Sequence, residues 1–435
     1  MFVALQHRNF RLLWIGLLVS FAGSLMQSAA ILWHVSLLVP DDKRALALGM
    51  VGLVRVVPIV LFSLLSGVAA DVYNRRRLML VTQSLMAMLA AGLAVITWRG
   101  LETVWPVYLL AAASSAAGAF DLPARQALTP NLVPREHLPN ALALNTIMFQ
   151  VAAVIGPALG GLVIGQLGVA WAYAFNAVSF LAVIAALLQM KDLRDRRGEA
   201  RQAEFNLQAV MEGLRFVFRA PIIRSTMLLD FFATFFSSAT ALLPLYAEDI
   251  LGVGASGYGW LLAAPATGAI VTSAIMIRMV DRIERRGKVL MVAVAAYGVA
   301  TVAFGLSTSF WLSFFCLALT GAADTVSMVL RHLIRQLEAP DRLRGRMVGV
   351  SMVFFNGGPQ LGELEAGLVA QWLGPVFAVV SGGVACVATT GWIAAKTPAL
   401  RAYRKEEAGD RRSEVGKIPQ PGLPPPASDI RPPPT

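Results

Sequence analysis

Charge is what this sequence has least of. Asp, Glu, Lys and Arg make up 14% of the 435 residues, against 57% hydrophobic residues, whereas soluble chains carry roughly 25% charged residues. A mean hydropathy of +0.64 cannot be hidden in one core, because a soluble domain must still cover its surface with polar atoms. A water-facing globule is therefore excluded, and the solvent for most of the chain is lipid. Cysteine is almost as scarce. Cys316 and Cys386 both stand in apolar runs, which argues against a disulfide framework or a cysteine metal site. Four histidines do not make a metal cluster, and neither a metal nor any other cofactor is expected. There is no Gly-x-x-x-x-Gly-Lys-Ser/Thr loop for ATP and no nucleophile elbow, so nothing points to an enzyme. The first apolar run is too long for a cleavable signal peptide, and similar runs follow it.

What is present is an excess of basic residues, a net charge of +11. In a membrane protein such residues collect in cytoplasmic loops against anionic headgroups, so lipids rather than nucleic acid are the expected partners. A spanning helix needs about 20 mostly apolar residues. Twelve such runs can be read, at roughly 12–38, 45–70, 78–98, 104–123, 141–166 and 169–189, then 222–247, 257–280, 289–307, 310–331, 347–372 and 375–395. With alternating spans and both termini in the cytoplasm, the inner ends hold all of the 37 lysines and arginines except Lys43, Arg44, Arg55 and Arg99. That lopsidedness is the positive-inside rule, and one missing helix would scramble it. The fold class is all-α membrane protein, with two pseudo-symmetric six-helix bundles over 1–190 and 222–396.

Residues 191–221 divide the halves. They are charged first and then amphipathic, with Leu207, Val210, Met211, Leu214, Val217 and Phe218 at helical spacing, as in a helix lying in the membrane interface. Residues 397–435 are charged and then proline-rich, a composition that predicts disorder. The halves also repeat each other in detail. Gly118-Ala119-Phe120-Asp121 matches Gly321-Ala322-Ala323-Asp324, and Gly156-Pro157-Ala158-Leu159-Gly160 matches Gly358-Pro359-Gln360-Leu361-Gly362. Asp71 after the second span has its counterpart in Asp281 after the eighth. A duplicated six-helix unit is the sequence sign of a transporter that rocks two halves about a midplane site.

On these residues the chain resembles the major facilitator superfamily. The loop Gly67-Val68-Ala69-Ala70-Asp71-Val72-Tyr73-Asn74-Arg75-Arg76-Arg77 is similar to the superfamily signature between helices two and three, with Val72 and Asn74 departing from it. Gly156, Pro157, Gly160 and Gly161 resemble the antiporter motif, with Ala152 replacing its first glycine. Glu212-Gly213-Leu214-Arg215-Phe216-Val217 and Leu343-Arg344-Gly345-Arg346 resemble the branch of enterobactin exporter-like efflux proteins. The resemblance covers about residues 5–395. It implies alternating access, a monomer in the plasma membrane, and a cytoplasmic latch made by Gly67, Asp71, Arg75, Arg76 and Arg77.

Ionisable residues inside spans are the sharpest functional leads, since each costs roughly 2.5–3.5 kcal/mol at the midplane. Arg55 lies about ten residues into helix two, ~15 Å deep, where it can meet an anionic substrate group or a carboxylate across the cavity. Asp230, Glu363 and Glu365 are carboxylates in spans, and a carboxyl group in a low-dielectric cavity can hold a proton at neutral pH. Asp230 and Glu363 are the candidates for proton coupling, weighed against simple pairing with arginines. Asp121 with Arg125 reads as an intrahelical pair, and Asp324 with Arg331 as its equivalent in the second half, in structure or gating. Gln27 and Gln150 can bond substrate, although bundle glue is the plainer reading. The glycines and prolines at 156–161 and 358–362 serve close helix packing, antiport, or both. The leading functional expectation is proton-coupled efflux of a small amphipathic or anionic molecule, such as a drug or siderophore. A lipid or lysophospholipid facilitator and a non-transporting membrane sensor or partner remain the alternatives.

Overall fold

In hydrocarbon every backbone N–H and C=O must be satisfied within its own segment, so apolar runs of this length become helices. The computed structural model describes residues 2–100, 103–190, 215–339 and 341–405, and all regular structure among them is helical. The first half contains α1 (Arg8–Leu38), α2 (Arg44–Val72), α3 (Arg75–Trp98), α4 (Trp105–Leu128), α5 (Leu138–Leu167) and α6 (Val169–Gln189). The second contains α7 (Pro221–Phe236), α8 (Gly254–Met279), α9 (Arg286–Gly305), α10 (Phe310–Glu338), α11 (Asp341–Leu373) and α12 (Pro375–Lys396). Among the described residues eleven segments are long and apolar enough to cross a membrane. The helix outside that set is α11, whose 33 residues include Gln360, Glu363, Glu365 and Gln371. It packs along α2 and α7 and completes the second bundle of six.

The two shortest turns are built alike. Gly168 joins α5 to α6 with φ +93° and Gly374 joins α11 to α12 with φ +86°, a left-handed conformation that glycine adopts without a Cβ penalty. The neighbour lists also repeat. In the first half α1 packs on α5 and α6, α3 on α4 and α6, and α2 on α4. In the second, α7 packs on α11 and α12, α9 on α10 and α12, and α8 on α10. Gly156 and Gly160 of α5 sit against Ala22, Leu25 and Met26 of α1, whereas Gly358 and Gly362 of α11 sit against Thr234 and Phe235 of α7. The duplicated glycine motif thus makes the same helix–helix contact twice, as small residues allow backbones to approach. Pro157 and Pro359 lie within these helices.

The seventh span departs from its expected continuity. Its helix stops at Phe236, passes through Ser237 and Ser238, and resumes as short turns over Ala239–Leu242, Leu243–Leu245 and Tyr246–Ile250. Pro244, which has no N–H to give, lies just past the break. Of the tail expected to be disordered, residues 397–405 are ordered and 406–435 lie outside the described residues. A helical turn, α13 (Pro398–Ala402), buries Leu400 and Tyr403 against the α9 end of the second half, and Gly287 N donates to the Tyr403 carbonyl at 3.2 Å. Of the expected interfacial helix, residues 215–219 are helical, whereas Leu207, Val210, Met211 and Leu214 lie outside the described residues.

The apolar cores show how the halves meet. At the end of the bundle where α1 finishes and α2 begins, one cluster joins both halves, from Ile31, Leu48 and Tyr173 to Leu242, Tyr258 and Phe304. At the opposite end the core divides into separate clusters. Leu13, Met79 and Leu144 belong to the first half, and Leu229, Leu290 and Leu330 to the second. The molecule is closed at one end and open at the other. In keeping with this, a Cβ added at Gly67, Gly118 or Gly357 would meet nothing within 4 Å.

Candidate functional site

The halves are sealed along two seams, α2 against α11 and α5 against α8. In the second seam Gly161 abuts Gly259 so closely that a Cβ on Gly161 would lie 2.7 Å from the Gly259 Cα, and Gly165 faces Ser256. In the first seam, Gly49 faces Gly367, and Gly52 faces Gln360 and Glu363. The charged residues at the closed rim reinforce the seal. Arg44 at the start of α2 donates from Nη2 to Glu248 Oε2 at 2.6 Å and from Nη1 to Asp249 Oδ1 at 3.3 Å, both just beyond the seventh span's break. Gln371 of α11 accepts from Leu46 N at 3.2 Å and donates to the Asp42 carbonyl. Tyr258 donates across the halves to the Ala29 carbonyl at 3.0 Å.

One turn deeper than Gly52 on α2 stands Arg55, at mid-depth. Its Nη2 donates to the Ser28 carbonyl at 3.3 Å, one residue before the Ala29 carbonyl that Tyr258 binds. Glu363 is 9% exposed, and its Oε2 is buried without a hydrogen-bond partner. Arg55 and Glu363, singled out separately in the sequence, thus stand in opposite halves on the facing helices of one seam, with Gly52 one turn from Arg55 and against Glu363. Glu365, two residues on, is only half-buried. Nearby, two polar pairs join helices of the first half. Asn176 donates to Gln27 Oε1 at 2.7 Å, and His34 Nδ1 lies 3.2 Å from the Tyr173 hydroxyl. Gln27 is therefore glue between α1 and α6, and Gln150 is half-buried halfway along α5.

Asp230 sits elsewhere, inside the second half toward the open end. Its Oδ1 lies 2.6 Å from Arg331 Nη1 and its Oδ2 3.4 Å from Arg335 Nη2, while Arg331 Nη2 also meets Asp324 Oδ1 at 3.2 Å. Arg331 is 1% exposed. Two acids and two guanidiniums hold each other there, and removing one partner would strand a buried charge. The first-half equivalent is smaller. Asp121 Oδ1 accepts from Thr82 and Gln83, each at 3.0 Å, whereas Arg125 stands 4.0 Å from Asp121 Oδ2 and lies over the Phe21 ring at 4.2 Å. Among the described residues, the bonds of the latch arginines stay within the first half. Arg75 donates to the Ala127 carbonyl at 3.0 Å and Arg76 to the Leu188 carbonyl at 3.2 Å, both in the first half, and Arg77 N caps on Asn74. The Asp71 side chain lies outside the described residues. Asp281 is exposed, and its carbonyl accepts from Lys405 Nζ at 2.8 Å.

Sequence reasoning missed the rim clamp of Arg44, Glu248 and Asp249, and it missed Arg335 in the buried cluster. Arg44 carried a signal nonetheless, since it is one of the four basic residues that fall outside the inner ends.

Comparison with known proteins agrees with this architecture. A family model described as transmembrane secretion effector matches residues 1–416. An enterobactin exporter of Shigella boydii serotype 18 is 27% identical over 320 residues, 74% of this chain and 76% of that protein. An enterobactin exporter of Escherichia coli O1:K1 is 26% identical over the same shares. Among solved structures, a bacterial homolog of the human lysosomal transporter Spinster, inward-facing and unoccupied, superposes with a TM-score of 0.66 at 15% identity, covering 95% of this chain and 99% of that one. A D-xylose-proton symporter superposes with a TM-score of 0.68 at 13% identity, covering 87% and 96%. At such identities the likeness carries the fold, which is that of the major facilitator transporters.

Proposed function

We propose that this chain, which belongs to the transmembrane secretion effector family, exports a small amphipathic or anionic molecule across the cytoplasmic membrane in exchange for protons. The efflux class rests on the family and on relatives named enterobactin exporters, which favour a drug or siderophore as cargo. The observation that carries the proton is Glu363, whose carboxyl group is buried against Gly52 in the seam that seals the closed end. We read the open end as cytoplasmic because Arg75, Arg76 and Arg77 in the first turn of α3, and Arg282 and Arg285 between α8 and α9, stand there. Both termini then lie in the cytoplasm.

The cycle follows from the cost of burying charge. A protonated Glu363 fits the sealed seam, since a neutral acid loses far less on burial than an anion. In the cytoplasm-open state an anionic substrate group takes Arg55, and Glu363 gives its proton to the cytoplasmic water in the cavity. The carboxylate then faces Gly52 with its nearest cation engaged elsewhere, which penalises the sealed seam and favours opening on the far side. There the substrate leaves, a proton returns to Glu363, and the seam closes again.

The test is efflux into reconstituted vesicles under an imposed pH gradient. Glu363→Gln, a permanent mimic of the protonated acid, should lose pH-driven flux while keeping substrate counterflow. Undiminished pH-driven flux in Glu363→Gln would overturn the reading. Headgroup-dependent lipid movement that ignores the gradient would replace it with a lipid facilitator.

A further inference from the structure

The break in the seventh span opens a second cavity that the transport cycle above does not use. It has a volume of about 180 Å³, lies within the second half between α7, α8, α9 and α10, and is bordered by Ser237, Thr240, Tyr297, Thr301, Thr320 and Asp324. No side chain with an N–H group lines it. The hydroxyl protons are mostly spent elsewhere. Thr301 donates to the Tyr297 carbonyl at 3.0 Å, Thr320 to the Leu317 carbonyl at 2.6 Å, and Tyr297 to the Ser237 carbonyl at 3.4 Å. A hydroxyl that has committed its proton offers only lone pairs to whatever else approaches. The Thr301 and Thr320 side chains are buried, so those lone pairs are not served by bulk water. One helix interruption borders the same space, the Ser237–Ser238 break, and Pro265 of the continuous α8, which has no N–H to give, lies beside it; carbonyls freed at such points of a membrane helix are common cation ligands.

The charge distribution has the matching sign. Asp230 holds two guanidiniums, Arg331 and Arg335, whereas Asp324 shares only Arg331, through Oδ1 at 3.2 Å. The Asp324 side chain is 43% exposed, so the less compensated acid of the cluster is the one that faces the cavity. A wall of oxygen acceptors with one partly compensated carboxylate suits a hard cation of single charge. At about 30 Å³ for each water, the space holds an ion with part of its hydration shell. We propose that this cavity is a binding site for an alkali cation, with Asp324 supplying the charge and Thr301 and Thr320 supplying neutral oxygens. The proposal is independent of proton coupling at Glu363, which lies on the α2–α11 seam.

A ligand that binds only the folded state raises the melting temperature by mass action. The experiment is thermal unfolding of the full chain in detergent, at fixed ionic strength, in sodium, lithium, potassium or N-methylglucamine chloride. Stabilisation by about 2–4 °C in one of the alkali salts over N-methylglucamine is expected. Thr320→Val and Thr301→Val keep side-chain volume while removing the oxygen, and each should abolish that shift; Asp324→Asn should do the same. Equal melting in all four salts would overturn the site, as would an undiminished shift in the three variants. Stabilisation by methylammonium chloride without any by alkali salts would also overturn it, in favour of an ammonium ligand. None of these results bears on pH-driven flux, so the two readings fail separately.

Discussion

Arg44 offers a direct handle on which end of the molecule is open. It joins α2 of the first half to Glu248 at 2.6 Å and Asp249 at 3.3 Å of the second, so opening the closed end must break both bonds. The Arg44 side chain is 11% exposed, but its partners are 38% and 49% exposed, so solvent screens the pairs heavily. Exposed pairs are worth roughly 0.2–1 kcal/mol each, and a short charge-assisted bond lies near the top of that range. Arg44→Ala should therefore cost the closed rim about 1–2 kcal/mol. With a tenfold change in equilibrium for each ~1.4 kcal/mol, that shifts the ratio of the two end states by about 5- to 30-fold. Spin labels at Trp105→Cys and Leu306→Cys report the spacing of the halves at this rim, since both positions are exposed ends of α4 and α9. The native Cys316 and Cys386 are buried and interfere little with labelling. The distance distribution should gain a longer component in Arg44→Ala, and the gain should shrink when high salt screens the same pairs in the parent. An unchanged distribution in Arg44→Ala at low salt would refute the reasoning, because it would mean that the rim pairs do not contribute to closure.

Other consequences can be checked in the same preparation. Gly161→Leu places a side chain where the Gly259 backbone stands, so it should separate α5 from α8 and lengthen the rim distance, or fail to fold as judged by gel filtration. Arg331→Met leaves Asp230 with Arg335 and takes from Asp324 its described partner, and breaking a buried pair costs about 3–5 kcal/mol, so thermal unfolding should occur well below that of the parent. Asp230→Asn should retain pH-driven flux where Glu363→Gln loses it, because Asp230 is gripped by two arginines and Glu363 is not. Tyr403→Ala should lower thermal stability by emptying a fully buried aromatic site at the end of the second half, with little change in flux.

Most of the fold was legible because the membrane imposes it. Apolar length, alternating basic loops and two glycine motifs are one-dimensional signals, and each maps directly onto a helix, an end or a contact. The site was only partly legible. Arg55 and Glu363 could be named from their rarity inside spans, but sequence has no term for which face of a helix meets which neighbour. That is why Asp230 looked equivalent to Glu363 until Arg331 and Arg335 were found within bonding distance of it. The break at Ser237 was hidden for a related reason. The serines are compatible with a membrane helix, and only the surrounding packing of α11 and α12, with Gly362 and Gly382 against the carbonyls of Phe235 and Phe236, fixes where the helix yields.

The duplication also explains why the charge sits on one seam and not the other. The α5–α8 and α11–α2 contacts are repeat equivalents, each joining the fifth helix of one half to the second of the other. The α5–α8 seam has Gly161 against Gly259, and the α2–α11 seam has Glu363 against Gly52. Two copies that began alike therefore differ by one ionisable group at a place where backbones nearly touch. A glycine pair is indifferent to pH, so the α5–α8 seam opens and closes at the same cost whatever the proton gradient does. In the proposed cycle a glutamate there makes closure depend on whether a proton is bound, because the neutral group is tolerated in the seam and the anion is penalised. With both seams parting together in that cycle, one titratable seam is sufficient to tie the whole motion to the gradient. A second acid at position 161 would only add another burial cost to a state that must remain accessible.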